Sequence, residues 1–294
     1  MSSPALAARR SLATDYLELT KPRITLMVMF TALVGYVMGS PLGAVSQLGL
    51  LEALVGTGLV AAGASVLNMV LERRTDGLMH RTRDRPLPSG RLRTAEALGF
   101  GLALTSLGIA FLAWFSGSAA AAVALLTWVS YVFFYTPLKT RTSLSTIVGA
   151  FPGALPPVIG WAAARGSIDP GAYVLFAILF LWQIPHFLAI AWIYREDYAR
   201  GGLPMLPVVD PEGRMTGRQA VANSIALLLV SLAPAAAGMA GRTYLLGALV
   251  LGLLLAAAAI RAAVFRSLSA ARLLFLASIV YLAGLNALLL ADRL

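Results

Sequence analysis

"SQLGLLEALVGTGLVAAGASVLNMVLERRTDGLMHRTRDRPLPSG", residues 46–90, decides how the rest of the chain is read. It opens with an apolar run, 46–71, and closes in a dense mixture of carboxylates and arginines. Crossing a hydrocarbon core takes about 20 helical residues, and the run supplies them. A membrane strand would alternate in polarity, whereas this run is continuous and rich in Ala, Leu and Gly, so it reads as a helix. Eight further runs of the same kind lie near 24–41, 95–115, 119–137, 144–164, 171–194, 219–240, 243–264 and 271–291. Composition agrees: 59% of the 294 residues are hydrophobic, 12% are charged, and the mean hydropathy is +0.81, which excludes an ordinary soluble domain. The expected fold is all-α, a polytopic bundle of nine transmembrane helices around a central cavity, forming one domain over 1–294.

The chain has no cysteine, which excludes disulfides, thiolate zinc sites and iron–sulfur clusters. Any metal must be held by oxygen or imidazole. Orientation follows the basic residues. A cytoplasmic N-terminus places all 23 of them on the inner side except Arg165, Arg242 and Arg293. The net charge of +10 is then a one-sided field, suited to anionic lipid or an anionic substrate, and it implies no nucleic acid partner. On this reading residues 1–20 are a cytoplasmic segment, carrying Arg9 and Arg10 without a signal-type apolar core, and 73–93 and 195–217 are cytoplasmic catalytic loops. A bacterial inner membrane is expected rather than a mitochondrial one.

Asn68, Glu72, Asp76 and His80 are spaced by four, so a continuing helix stacks them on one face. Carboxylates at headgroup depth are costly unless paired, which makes them candidates for function. Two of them with an amide suit a hard cation such as Mg²⁺, which takes one or two carboxylates and completes its shell with water and phosphate oxygens. Arg81 and Arg85 follow directly, and guanidinium forks match phosphate geometry. Pro86, Pro88 and Gly90 then end the helix in a loop able to fold back over a ligand. Together these residues describe a diphosphate pocket.

The sixth run ends similarly. "LFLWQIPHFLAIAWIYREDYARGGLPMLP", 179–207, brings Glu196 and Asp197 beside Arg195 and Arg200, then a Gly/Pro loop. Asp197 is a candidate ligand for a second Mg²⁺ across the diphosphate. Deeper in that run, Gln183 and His186 are placed to meet the apolar body of a substrate. "LTKPR", 19–23, and "YTPLKTRTS", 135–143, add Lys21, Arg23, Lys139 and Arg141 at helix ends on the same side. Trp128, Tyr131 and Tyr135 follow a helical spacing toward that end, and an aromatic face can stabilise a carbocation or serve as an interfacial belt.

These motifs resemble the UbiA-type intramembrane prenyltransferases, and in particular the haem-farnesylating branch of that family. The likeness rests on Asp76, Met79, Arg81, Thr82, Arg85, Pro86, Leu87, Pro88 and Gly90 in order, with "GAFPGALPPVIGWAA" at 149–163, "WQIPHF" at 182–187 and "DYARGGLPMLPV" at 197–208. It spans roughly residues 15–290. The resemblance implies Mg²⁺-dependent transfer of a farnesyl group from farnesyl diphosphate to a vinyl group of haem b, with addition of water. It also implies a haem-modifying or oxidase-assembly protein downstream as a partner. By position it puts Asn68, Glu72, Asp76 and Asp197 at the metal and diphosphate. Arg81, Arg85 and Lys139 fall at the diphosphate or haem propionates, and His186 at the haem. Glu72 stands where Asp is usual, and Ile193 where many members have a further Asp. Alternatives are a transporter, a prenyltransferase for a quinone precursor or chlorophyllide, and a haem-handling protein without chemistry. A transporter would place its polar groups near the midplane in both halves, rather than at one set of helix ends.

Overall fold

Hydrophobic helices that are apolar all round show no preferred face, so close approach of their backbones decides how they pack. The seam between the first and fifth spans illustrates this. Gly35 lies against the backbone of Pro157, and Gly160 against the backbone of Ala32, with no room for a Cβ at either position. The computed structural model describes residues 11–294. Among these, nine helices are long and apolar enough to cross a membrane: Pro22–Gly39, Gln47–Leu78, Thr94–Ser116, Ser118–Leu138, Ser145–Arg165, Pro170–Ile193, Arg214–Ala236, Arg242–Phe265 and Leu268–Ala291. The chain is a multi-pass, all-α membrane protein. Arg9 and Arg10 lie outside the described residues.

Spans one to five pack mainly on one another, and spans six to nine form a four-helix group that joins them through the sixth span. Two departures from the hydropathy reading bear on function. The second helix continues to Leu78, past its apolar run, so 73–78 are helical and the loop proper starts at Met79. The seventh span likewise begins at Arg214, which shortens the segment after the sixth; that segment contains the short helices Arg195–Arg200 and Leu206–Val209. In the fourth span the α-helix gives way to a π-helical stretch, Ser130–Tyr135, of the kind often found at functional sites.

Polar contacts separate the two ends of the bundle. At one end Arg165 donates to the Gly39 carbonyl (2.9 Å) and Arg293 to the Ser40 carbonyl, so two basic residues cap the exposed carbonyls of the first span. The Asp292 carboxylate accepts from the Tyr244 backbone N–H (2.7 Å), tying the C-terminus to the start of the eighth span. The other end gathers the acidic motifs.

Candidate active site

The continuous helix Gln47–Leu78 carries Asn68, Glu72 and Asp76 on one stripe, and each meets a cation from a different segment. Asn68, fully buried, accepts through Oδ1 from Lys21 Nζ (2.7 Å) and donates through Nδ2 to Thr136 Oγ1 (3.1 Å). Thr136 gives its own proton to the Tyr131 carbonyl (2.8 Å), so it must accept from the amide. That fixes which way Asn68 points. Glu72 Oε1 lies 2.7 Å from Lys139 Nζ, and Asp76, only 1% exposed, lies 2.7 Å from Arg85 Nη1. His80 leaves the stripe, because Met79 turns extended and ends the helix.

The two lysines differ electrostatically. Burial pushes Lys21 down to about 7, with Arg85 acting in the same direction. Lys139 is buried too, and burial acts to lower it, but Glu72 together with Tyr135 and Tyr131 more than offsets that and holds it well above the usual lysine range. Lys21 caps the first span from a left-handed conformation (φ 47°), with Pro22 behind it.

Asp197 brings in the second acidic motif. One of its carboxylate oxygens accepts from the His80 backbone N–H (2.8 Å) and the other from that of Arg81 (3.2 Å), with Arg200 3.3 Å away. Met79 packs with Ala191, Leu203 and Met205 beneath this contact. The acidic ends of the second and sixth spans therefore meet on one face of the bundle. Arg81 stacks over Tyr194 (5.0 Å) and Tyr198 (5.8 Å). Tyr198 escaped the sequence reading, although it stands next to Asp197 and its hydroxyl lies 3.5 Å from Arg81 Nη2. Tyr131 and Tyr135 sit in the π-helical stretch with ring centroids 5.3 Å apart, and Lys139 Nζ lies 4.7 Å from the Tyr135 centroid. Arg141 is exposed at the lip, away from the cluster's ion pairs.

Gln183 and His186 diverge. The Gln183 amide donates to the Ala150 and Leu179 carbonyls (3.1 Å each), joining the fifth and sixth spans. His186 instead faces the ninth span, its ring stacked between Trp182 (4.6 Å) and Phe275 (5.1 Å). Its Nδ1 lies 2.8 Å from Ser278 Oγ, which donates to the Phe275 carbonyl (2.6 Å). Since that hydroxyl proton is already used, Nδ1 carries the hydrogen and Nε2 keeps its lone pair. Nothing near His186 in the sequence points to Ser278 or Phe275.

Among the described residues no three acidic or imidazole groups form a ready-made metal cage. Asn68 has both ends of its amide engaged, and Asp197 holds backbone with both oxygens. Glu72 and Asp76, one turn apart and oxygen-only, each meet a cation through one oxygen. That donor set fits a cation that needs one or two protein carboxylates.

Comparisons with known proteins bear on the whole chain. Residues 28–285 match the model of the UbiA prenyltransferase family. The chain is 50% identical over 287 residues to a protoheme IX farnesyltransferase of Solibacter usitatus (strain Ellin6076), covering 95% of this chain and 98% of that one. Among solved structures it resembles a digeranylgeranylglyceryl phosphate synthase with a TM-score of 0.80 at 18% identity, over 95% of this chain and 98% of that one. It also resembles a UbiA homolog from Archaeoglobus fulgidus bound to GPP and Mg²⁺, with a TM-score of 0.66 at 17% identity, over 94% and 99%. At those identities the structural likeness speaks for the fold.

Proposed function

The chain belongs to the UbiA prenyltransferase family, and from that premise we propose that it farnesylates haem b, using farnesyl diphosphate and releasing diphosphate. The product is haem O. The observation that carries the reading is the cluster in which Lys21, Arg85 and Lys139 converge on the Asn68, Glu72 and Asp76 stripe. Three cations beside two carboxylates, at the mouth of an apolar bundle, suit a charged headgroup with a lipid tail. The protoheme IX farnesyltransferase relative, alike over nearly the full length, supports haem as the acceptor.

In this reading Glu72 and Asp76 hold Mg²⁺, with Asp197 steadying the facing loop. An ion held there would supply positive charge against the departing diphosphate. Lys21, Arg85 and Lys139 take the remaining phosphate oxygens, so negative charge grows where cations already stand. The allylic carbon–oxygen bond breaks, the terminal vinyl carbon of haem b bonds to farnesyl C1, and water adds to the inner vinyl carbon with loss of a proton. Tyr131 and Tyr135 present aromatic faces beside Lys139, and the apolar spans exclude bulk water while the cation exists. His186, held as the Nδ1–H tautomer by Ser278, offers Nε2 to the haem. The site faces the cytoplasm, in keeping with the basic residues gathered there, and the protein resides in a bacterial inner membrane.

Incubating the purified protein with haem b, farnesyl diphosphate and Mg²⁺, then weighing the porphyrin, tests the reading. A mass gain of one farnesyl group plus one hydroxyl is expected. Diphosphate release with a quinone precursor and none with haem b would overturn the acceptor assignment.

A further inference from the structure

Arg91 entered the sequence reading only as one more positive charge, yet its guanidinium is bonded on all three nitrogens. Nε donates to Asp15 Oδ1 (2.9 Å), Nη1 to the Asp84 carbonyl and Ser89 Oγ (2.8 Å each), and Nη2 lies 3.4 Å from Glu18 Oε2. Asp15 and Glu18 belong to a short N-terminal helix, Leu12–Leu19, that precedes the segment matched by the family model. Asp15 is 3% exposed, and a carboxylate so buried needs its partner. Behind the staple, Leu19 packs with Leu87 and Leu92 of the loop and with Val66 and Met69 of the second span.

Each arm of this staple leads into the diphosphate site. On one side the helix ends at Leu19 and Lys21 follows at once, in a left-handed conformation that persists only where the surroundings hold it. On the other side Ser89 Oγ donates to the Arg85 carbonyl (2.6 Å), and Arg85 reaches Asp76. We propose that Arg91 is a positioning residue for the diphosphate site. By stapling the N-terminal helix to the loop after the second span, it sets where both Lys21 and Arg85 meet the acidic stripe. It does not touch the substrate. Cations on flexible stems lose affinity when their backbones wander, and Arg91 removes that freedom from two of them together.

The proposal rests on the diphosphate reading above, and binding of inorganic diphosphate in the presence of Mg²⁺ to the full-length protein tests the two separately. Arg91→Gln is expected to weaken diphosphate about tenfold, the usual scale for losing a group that orients a ligand-binding one, with haem b affinity unchanged. Asp15→Asn is isosteric and keeps one acceptor. It should give a smaller loss of the same kind, and adding it to Arg91→Gln should cost little more, because both cut one link. It also serves as the test if Arg91→Gln fails to accumulate in the membrane. Equal weakening of haem b and diphosphate would make Arg91 a general fold residue and overturn the proposal, as would unchanged diphosphate affinity in both variants. If Lys21→Met leaves diphosphate binding untouched, the site reading falls first. If Lys21→Met weakens it and the staple variants do not, the staple alone falls.

Discussion

The second and sixth spans both end in acidic residues, arginines and a Gly/Pro loop, but their surroundings differ. At the second span every polar group on the stripe meets a side-chain cation or its support: Lys21 at Asn68, Lys139 at Glu72, Arg85 at Asp76. At the sixth span Asp197 meets backbone N–H groups as well as Arg200, and the polar side chains within the span meet neighbouring helices, Gln183 the fifth and His186 the ninth. Basic residues where the eighth span ends and the ninth begins, Arg261, Arg266 and Arg272, are all exposed. Similar motifs thus do different work. The first half concentrates charge, which the proposed function assigns to a headgroup, while the second supplies a loop anchor and an aromatic-lined imidazole.

If that division is right, the largest effect belongs to the charged stripe. Glu72→Gln or Asp76→Asn should lower turnover by roughly 10²–10³-fold while the protein still inserts and folds. Mg²⁺-dependent diphosphate release reads this, and a wild-type rate in either variant would contradict the assignment. Asp197→Asn replaces one accepting oxygen with an amide that cannot receive a backbone N–H. An increase in KM for farnesyl diphosphate of about 10–100-fold is expected. An unchanged KM would make the anchor idle.

A milder change is expected in the second half. His186→Ala should weaken haem b about tenfold in an optical titration and leave farnesyl diphosphate affinity alone. Ser278→Ala should do the same by about fivefold, the equivalent of ~1 kcal/mol for one hydrogen bond. Loss of farnesyl diphosphate affinity in either variant would erase the difference between the halves. Arg141→Ala, at an exposed lip, should change stability by less than about 0.5 kcal/mol and activity not measurably, checked by thermal melting and turnover in detergent.

All nine spans were legible because insertion into lipid is decided residue by residue, and a run of Ala, Leu and Gly says so whatever it packs against. So was the Asn68, Glu72 and Asp76 stripe, since helical periodicity alone puts residues four apart on one face. The convergence of Asp197 with the loop after Asp76 was also expected, and there both its oxygens accept from backbone N–H groups. Partners 76 or 92 residues away, Asp15 for Arg91 and Ser278 for His186, carried no such signal.

From the sequence alone came the membrane, the helices, the side of the bundle that carries the charge and the chemistry those side chains can perform. Only the tertiary structure decided which cation answers which acid, where Asn68 points and which nitrogen of His186 stays free. The physical reason is that these helices are apolar around their whole circumference. Hydropathy then commits each one to the bilayer without saying which face turns toward which neighbour, and that choice falls to backbone approach at positions such as Gly35 and Gly160.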